Sequence, residues 1–436
     1  MENNEEELKI SNLLVKFPKQ IYERGNNLKI LDLSNNNLQE LPNEFSRLVN
    51  LEIAFFSNNE FDKFPTVMSK CLNLRMIAFR HNKITSIAEN SFPKNLKWLI
   101  LTDNMIEKLP DSIGKCIKLK KLMLSGNKLS DLPDQLKFCT KLELLRISNN
   151  NLTELPSFLF SLPKLSWLSY SGNNITIYPN PNNLQEFQLD NFTIKEKIGE
   201  GASGSTFRAF SKDLNKDIAL KLFKHTMTSD GSPLNEMYIS DFISSFSSLN
   251  SLCTNKISHP NIIPIIGIIN NHSDKKYALL LELISGYNTL GYPPNFKTCT
   301  RDVFPSPCLS FSIDNIITIC IAIISVSYYL HSHGINHGDL YAHNILINDN
   351  YHSYLCDFGA SSLYDKHSFS APFIEKIEVR AFGCLLDDLL NLLDESYVYH
   401  PSYSFLDTLR NNCLQFDVVL RPSFTDIKNI FSTLPN

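Results

Sequence analysis

Apolar residues recur with a fixed spacing along the first part of the chain. From Leu28 to about Pro179 the pattern returns every 23 residues, with one 22-residue exception. A unit of this length can hold one short strand and one return segment, and it buries its apolar side chains only against neighbouring units. We therefore expect seven stacked repeats, which are marked by one Asn each at Asn36, Asn59, Asn82, Asn104, Asn127, Asn150 and Asn173.

The unit L-x-x-L-x-L-x-x-N-x-L-x-x-L-P resembles the leucine-rich repeat. This resemblance implies an α/β solenoid over residues 28–183, with residues 1–27 as an N-terminal cap. Each Asn is expected to bond backbone groups where the chain turns out of the strand. Cys71, Cys116 and Cys139 occupy a Leu position of the repeat and are expected in its core.

The variable strand positions of a repeat face its open concave surface. Here they carry both tryptophans of the protein among other apolar residues, where a solvated strand normally shows polar ones. Such a surface favours binding of a protein partner. The alternative is that the second half of the chain, or a terminal segment, covers the residues concerned: Phe55, Trp98, Ile100, Met123 and Trp167.

A different pattern begins at Phe192, where two or three strands surround a glycine-rich turn at Gly199, Gly201 and Gly204. G-x-G-x-x-G alone is a weak signal, because dinucleotide-binding folds share it and follow it with a helix. Here a strand follows instead. Such a hairpin lets backbone N–H groups approach phosphates, and Lys221 on the next strand is placed to bind the same phosphates.

A helix and a buried strand complete the predicted nucleotide site. Ser232 and Pro233 have the N-cap and first-turn signature of a helix. Glu236 on that helix is the candidate ion-pair partner of Lys221, with Asp241 as the alternative. A second group of residues is expected to contact the nucleotide, with backbone groups near Glu282 and Leu283 binding adenine and Leu281 closing the back of the pocket: Ala219, Leu281, Glu282, Leu283 and Leu346.

The stretch 337–346 reads HGDLYAHNIL, and Asp357-Phe358-Gly359 follows. This spacing is typical of a phosphoryl-transfer site, in which Asp339 accepts the proton of an attacking hydroxyl while Asn344 and Asp357 hold Mg²⁺. His337 is expected to pack behind the loop against Phe358. Glu378, in a segment that resembles the start of a long helix, is expected to anchor the loop backbone.

Composition and charge argue against several functional classes and locations. A net charge of −4 gives no support for nucleic-acid binding or a polybasic membrane anchor. The acidic start does not fit a secretory signal peptide, and the apolar run 316–330 is shorter than a membrane span. Because the cysteines show no metal-ligand pairing, we expect free thiols and a cytoplasmic location.

Residues 192–436 resemble the eukaryotic-type protein kinases, and the whole chain resembles the soluble leucine-rich-repeat-containing protein kinases. The resemblance implies a bilobal α+β kinase fold, ATP and Mg²⁺ as cofactors, and a protein substrate, with Lys221 and Glu236 positioning ATP. The family is generally labelled serine/threonine kinase, but Tyr341 replaces the expected Lys. A catalytically weak pseudokinase scaffold and a small-molecule kinase remain alternatives, because few residues follow Gly359 before the next helix.

Gly338 stands where most protein kinases have an Arg that pairs with a phosphate on the activation loop. Glycine cannot form that pair. We therefore expect activity that does not depend on activation-loop phosphorylation, with control through the repeats.

Overall fold

The computed structural model describes residues 6–175, 183–201, 203–224, 227–246, 259–271, 276–304 and 310–432. The chain divides into two compact units. The first comprises Met1–Leu165 and Gly172–Ile175, and the second comprises Ser166–Ser171 and Thr176–Asn436. The residues 166–171, which the repeat pattern assigns to the last copy, therefore belong structurally to the second unit.

The first unit is a stack of repeats, each with a three-residue strand. Neighbouring strands pair in parallel and follow one another in chain order. The first strand lies in the expected cap, and each of the following six strands belongs to one repeat. Five-residue 3-10 helices form several of the return segments, and each begins directly after a Pro. The strands are β1 (Glu7–Lys9), β2 (Ile30–Asp32), β3 (Ile53–Phe55), β4 (Met76–Ala78), β5 (Trp98–Ile100), β6 (Lys121–Met123) and β7 (Leu144–Arg146). The 3-10 helices are Lys19–Asn27, Asn43–Arg47, Thr66–Lys70, Asp111–Lys115, Asp134–Phe138 and Ser157–Ser161.

The recurring Asn residues form a buried ladder of hydrogen bonds, as expected. The Asn127 Oδ1 accepts from the backbone N–H of Ile106 at 3.0 Å, in the preceding repeat. Its Nδ2 donates to the carbonyls of Leu101 at 3.0 Å and Leu124 at 2.8 Å. The Leu101 carbonyl also accepts from Asn104 Nδ2 at 3.0 Å. Each amide thus joins two repeats, and neighbouring amides share acceptors.

The three repeat cysteines lie in the core, where the sequence places them. Cys71, Cys116 and Cys139 are at most 1% exposed. Burial raises the pKa of the Cys71 thiol to about 11 and that of Cys116 to about 12. These side chains therefore stay protonated and pack as small apolar groups.

The second unit begins with a small lobe built on a six-stranded sheet. The strand order is β10-β11-β12-β14-β13-β9. Its core is formed by apolar side chains that include Phe187, Phe192, Leu220 and Leu280. The helix α1 (Pro233–Ser245) begins where predicted, with the Ser232 side chain accepting from the backbone N–H of Leu234. The strands of this sheet are β9 (Gln185–Glu186), β10 (Phe192–Glu200), β11 (Gly204–Ser211), β12 (Lys216–Phe223), β13 (Ile265–Asn271) and β14 (Lys276–Glu282). The second unit also contains β8 (Trp167–Ser169), which precedes them in the chain.

The large lobe is mainly helical and carries two small sheets, β15-β17-β18 and β16-β19. Ser312 caps helix α2, as predicted, by accepting from the backbone N–H of Asn315. Among the described residues, α2 is the one helix whose length and apolar composition would suit a membrane span, and 56% of its apolar window is buried inside the protein. The elements are β15 (Asn288–Thr289), α2 (Ile313–Ser332), β16 (Ile335–Asn336), β17 (Ile345–Ile347), β18 (Ser353–Leu355), β19 (Ser362–Leu363), α3 (Ala371–Asn391), α4 (Pro401–Cys413) and α5 (Phe424–Phe431).

Two elements differ from what the sequence predicted. Helix α3 starts at Ala371, seven residues before Glu378, because Pro372 in its first turn suits a helix start. Strand β9 extends the small-lobe sheet by pairing in parallel with β13. Both residues of β9 are exposed and polar, so no apolar alternation marked this strand in the sequence.

Candidate active site

The glycine-rich turn joins β10 and β11 in an antiparallel hairpin. Gly199 pairs with Thr206 across the two strands, and the Gly201 N–H donates to the Gly204 carbonyl at 2.9 Å. A Cβ at Gly204 would lie 2.5 Å from the Leu222 carbonyl oxygen, whereas one at Gly201 would meet nothing closer than 4.0 Å. The protein itself therefore requires glycine at 204 and leaves open space at 201.

Lys221 meets two carboxylates at the centre of the second unit. Its Nζ lies 2.6 Å from Glu236 Oε1 and 3.1 Å from Asp357 Oδ1. Burial disfavours the charged amine, but Asp357 and Glu236 outweigh it and raise the pKa of Lys221. Asp241, the alternative partner, instead accepts from the backbone N–H groups of residues 183 and 184. The structure thus selects Glu236 for the pair.

The two carboxylates respond differently to these surroundings. Burial raises the pKa of Glu236 above its ordinary value, and the Lys221 ammonium opposes that shift. Loss of solvation would also raise the pKa of Asp357, but Lys221 outweighs it and holds the pKa of that carboxyl below its ordinary value. Lys221 therefore keeps a positive charge and Asp357 a negative one at neutral pH.

The predicted adenine-binding strand lies beside β12. Leu281 pairs with Ala219 across the two strands. The Glu282 N–H donates to the Pro264 carbonyl at 2.9 Å, and the Glu282 carboxylate forms an ion pair with Lys216 at 2.7 Å. Because the Glu282 N–H is used within the protein, it is not available to adenine.

The loop of residues 337–344, which we call the catalytic loop because it carries the candidate base Asp339, is held in place by surrounding side chains. Glu378 accepts from the backbone N–H groups of His337 at 3.0 Å and Gly338 at 2.7 Å, and from His331 Nε2 at 2.6 Å. Burial would raise the pKa of Glu378, yet the hydrogen bond and charge of His331 lower it below its ordinary value. The anchor expected from the sequence is confirmed, with Glu in place of the usual Asp.

His337 also lies where expected. Its ring meets Phe358 edge-on, with 5.1 Å between the centroids, and its Nε2 lies 3.1 Å from the Cys356 carbonyl oxygen. His337 therefore packs behind the loop.

Asn344 and Asp357 present oxygen atoms suited to a hard cation. Asn344 Nδ2 donates to Asp339 Oδ2 at 2.8 Å and to its carbonyl at 2.9 Å, which leaves the amide oxygen for another ligand. Asp357 Oδ1 accepts from Lys221 and from the Gly359 N–H, while 39% of the side chain is exposed. Mg²⁺ takes such oxygen ligands, usually with one or two carboxylates and substrate phosphates. Within the described ranges, no group of three or more His, Cys, Asp or Glu side chains is arranged for a metal.

The insertion before α2, for which the sequence indicated no role, supports the same loop. Asp302 accepts from the Ala342 N–H at 2.5 Å and contacts His343 Nδ1 at 2.6 Å. Arg301 forms ion pairs with Asp387 and Asp388 on α3. The sequence signal that could have indicated this role is the adjacent pair Arg301 and Asp302, which lies in a segment with few other charged residues.

The expectation of an open apolar column is wrong for Trp167. This residue is 2% exposed, because its ring stacks on Tyr341 of the catalytic loop. Met123 is also buried, at 8% exposure, while Phe55, Trp98 and Ile100 are half-buried. The Lys121 ammonium lies over the Trp98 ring, 4.0 Å from its centroid.

Comparison with known families agrees with this architecture. A family model described as protein kinase domain matches residues 192–379. Models described as leucine rich repeat match residues 27–48, 94–152 and 117–175. The expected fold classes of both parts are thereby confirmed.

Similar proteins are kinases at low sequence identity. The tyrosine-protein kinase transforming protein Abl of Abelson murine leukemia virus is 24% identical over 298 residues, which cover 59% of this chain and 36% of that protein. NUAK family SNF1-like kinase 1 of Mus musculus is 27% identical over 186 residues, which cover 42% of this chain and 24% of that protein. The chain thus spans roughly a quarter to a third of the length of these two relatives.

Among solved structures, a leucine-rich-repeat protein of Leptospira interrogans matches with 25% identity and a TM-score of 0.33. The match covers 38% of this chain and 49% of that one.

Proposed function

Because the chain combines leucine-rich repeats with a protein kinase domain, we propose that it is an ATP- and Mg²⁺-dependent protein kinase acting on serine or threonine hydroxyls. The observation that carries the proposal is the assembled cluster of Lys221, Glu236 and Asp357, with Nζ–O distances of 2.6 and 3.1 Å. Burying three ionisable groups together costs desolvation energy, and such clusters concentrate at functional sites. This cluster supports a catalytic kinase over a pseudokinase scaffold.

Each residue would have a definite task. Lys221, held by Glu236, binds the α- and β-phosphates, and the backbone of the glycine hairpin covers the phosphates. Asn344 and Asp357 would hold Mg²⁺, which would neutralise phosphate charge. Asp339 accepts the proton of the attacking hydroxyl, and Asn344 fixes that carboxylate through the bond at 2.8 Å.

The test is phosphate transfer from γ-labelled ATP by the purified full chain with Mg²⁺. Wild type should label itself or a generic protein substrate, and Asp339→Asn should lose at least about 100-fold in rate, the usual contribution of a general base. Asp349→Asn, an exposed acid in the turn after β17, is the matched control and should keep wild-type activity. Mg-ATP binding without any transfer by wild type would favour the pseudokinase.

Acid hydrolysis of the labelled protein separates the amino-acid specificities. Labelled phosphoserine or phosphothreonine would support the proposal, and phosphotyrosine alone would contradict its finer part. The residue at position 341 does not indicate the amino-acid specificity, since Tyr341 is neither the Lys expected of a serine/threonine kinase nor the Arg expected of a tyrosine kinase.

A second candidate is a small-molecule kinase. The observation favouring it is the short stretch of residues 360–370 between Gly359 and α3, which leaves little platform for an extended peptide. Transfer to an aminoglycoside or a choline-like alcohol, at a rate above that for any protein, would establish this alternative.

The repeats are proposed to recruit a substrate or regulator, and the chain to act in the cytoplasm. Ile100 and Trp98 remain half-exposed on β5. Trp98→Ser should weaken capture of a protein partner in a pull-down, and an unchanged set of captured proteins would contradict this assignment.

A further inference from the structure

The segment Ser166–Ser171 is a structural part of the second unit, although it carries the strand of the last repeat copy. Its contacts reach the catalytic loop, the strands that flank it and helix α1, where Asn235 Nδ2 donates to Ser171 Oγ at 3.2 Å. The segment is therefore placed to act on the loop that bears Asp339.

Trp167 makes two of these contacts. Its ring lies nearly parallel to that of Tyr341, with 4.2 Å between the centroids and 8° between the planes. Its Nε1–H donates to the Leu340 carbonyl at 3.0 Å. Tyr341 and Leu340 are at most 4% exposed. One side chain thus fixes both residues that directly follow Asp339.

Two further hydrogen bonds join the segment to the loop's supporting strands. Asn336 Nδ2, in β16, donates to the Leu168 carbonyl at 2.8 Å. The Tyr170 N–H donates to Ser362 Oγ, in β19, at 2.9 Å. These strands pair with each other on either side of the catalytic loop. The segment therefore holds the loop and both of its supports.

Gly338 shows that the loop is shaped for this segment. Its φ is +73°, and a Cβ there would lie 2.6 Å from the Leu168 carbonyl oxygen and 2.7 Å from the Ala360 carbonyl oxygen. No L-residue fits that space without backbone movement. The Arg that many kinases carry at this position is incompatible with the close approach of Leu168.

We propose that Trp167 is a positioning residue of the kinase: through Tyr341 it fixes the loop that carries Asp339, in place of an activation segment ordered by phosphate. The kinetic part of this inference rests on the proposed function. The structural part does not, since it concerns order in the loop whether or not phosphate is transferred.

The test compares Trp167→Ala, Trp167→Phe and the control Tyr399→Ala, which removes a ring that is 97% exposed, in the full chain. Trp167→Ala should lower kcat by about 10- to 100-fold, the loss expected when a catalytic group is misplaced by about 1 Å, with the KM for ATP unchanged. Trp167→Phe keeps a stacking ring and loses the Nε1 hydrogen bond, so it should recover most of kcat. Tyr399→Ala should leave both constants unchanged.

A double-mutant cycle with Tyr341→Ala tests whether Trp167 acts through Tyr341. If it does, the double variant should lose no more than the more damaged single variant, whereas independent effects would multiply. Hydrogen exchange of amides 338–345 is measured in the same proteins. Trp167→Ala should speed this exchange and leave exchange in α2 unchanged, and that result also excludes general unfolding.

Three results would overturn the inference. One is unchanged exchange of amides 338–345 in Trp167→Ala, which decides the matter even if wild type transfers no phosphate. Another is a rise in protein phosphorylation, which would make the segment an inhibitory cover. The third is multiplicative loss in the double variant. Absence of transfer by wild type, with exchange in 338–345 dependent on Trp167, would refute the proposed function alone.

Discussion

Replacing Gly338 by Ala should destabilise the second unit strongly, because two separate costs coincide at this position. The backbone φ of +73° lies in the left-handed region, which costs a residue with a Cβ about 1–2 kcal/mol. The new Cβ would also lie 2.6 and 2.7 Å from two backbone carbonyl oxygens. Crowding of this kind costs about 1–3 kcal/mol, since neither oxygen belongs to a movable side chain.

The two terms add to about 2–5 kcal/mol, a large part of the stability of a typical domain. A matched control separates them. Gly286 has a φ of +77°, but a Cβ there would meet nothing within 4 Å. Gly286→Ala should therefore cost only the conformational term of about 1–2 kcal/mol.

Native-state hydrogen exchange of the α2 amides is the suitable assay, because it reports opening of the second unit without contribution from the repeats. The free energy of opening should fall by at least about 1 kcal/mol more in Gly338→Ala than in Gly286→Ala. Equal losses in the two variants would refute the crowding argument, and with it the explanation of why arginine is absent at this position.

Three further perturbations test other parts of the structure. Asn127→Ala leaves the buried Ile106 N–H without its acceptor and should lower the unfolding free energy of the repeats by about 1–3 kcal/mol in urea titration. Glu378→Gln sets an amide N–H against a donor from the loop or from His331, and should cost about 2–3 kcal/mol and reduce kcat. His259→Asn should flatten the acid side of the stability profile, because burial lowers the pKa of His259 to about 4. Between its unfolded pKa of about 6.5 and that value the unfolded state binds more protons, so wild type should lose up to about 1.4 kcal/mol per pH unit as the pH falls.

For each of these three predictions, one result would contradict the reasoning. Asn151→Ala removes an exposed amide directly after the ladder residue Asn150, and a loss similar to that of Asn127→Ala would contradict the ladder. Glu378→Gln with wild-type stability would mean that the loop does not need a charged acceptor. Parallel stability profiles of wild type and His259→Asn between about pH 4 and 6.5 would show that His259 is not the titrating group.

The sequence predicted the features that depend on local chemistry and regular spacing. The repeat period gave the strands and the Asn ladder, and Ser232 and Ser312 marked two helix starts correctly. The choice of Glu236 over Asp241 could not be settled from the sequence, because both lie on one helix and their partners come from distant parts of the chain. Only the fold shows that Asp241 serves residues 183 and 184.

The errors arose where long-range packing decides the environment of a residue. Trp167 occupies a strand position that faces outward in a single repeat, and no local signal shows that Tyr341, 174 positions later, would stack on it. Asp302 was missed for the same reason, since its partner His343 lies 41 residues away. Gly338 was recognised in the sequence as a departure from the Arg that most protein kinases have there. That departure indicated only the loss of a partner for a phosphate, and it gave no sign of the close approach of Leu168.

The Asn ladder has a consequence for how the number of repeats can change during evolution. The amide of Asn127 bonds backbone groups 21 and 26 positions earlier, and Asn150 repeats the same offsets. A duplication or deletion of one whole unit inside the array would therefore join ends that already match. The last repeat is different, because its residues 166–171 belong to the second compact unit of the chain. Copy number is thus expected to vary among descendants of this gene through gain and loss of inner repeats, while the final repeat is inherited together with the catalytic loop.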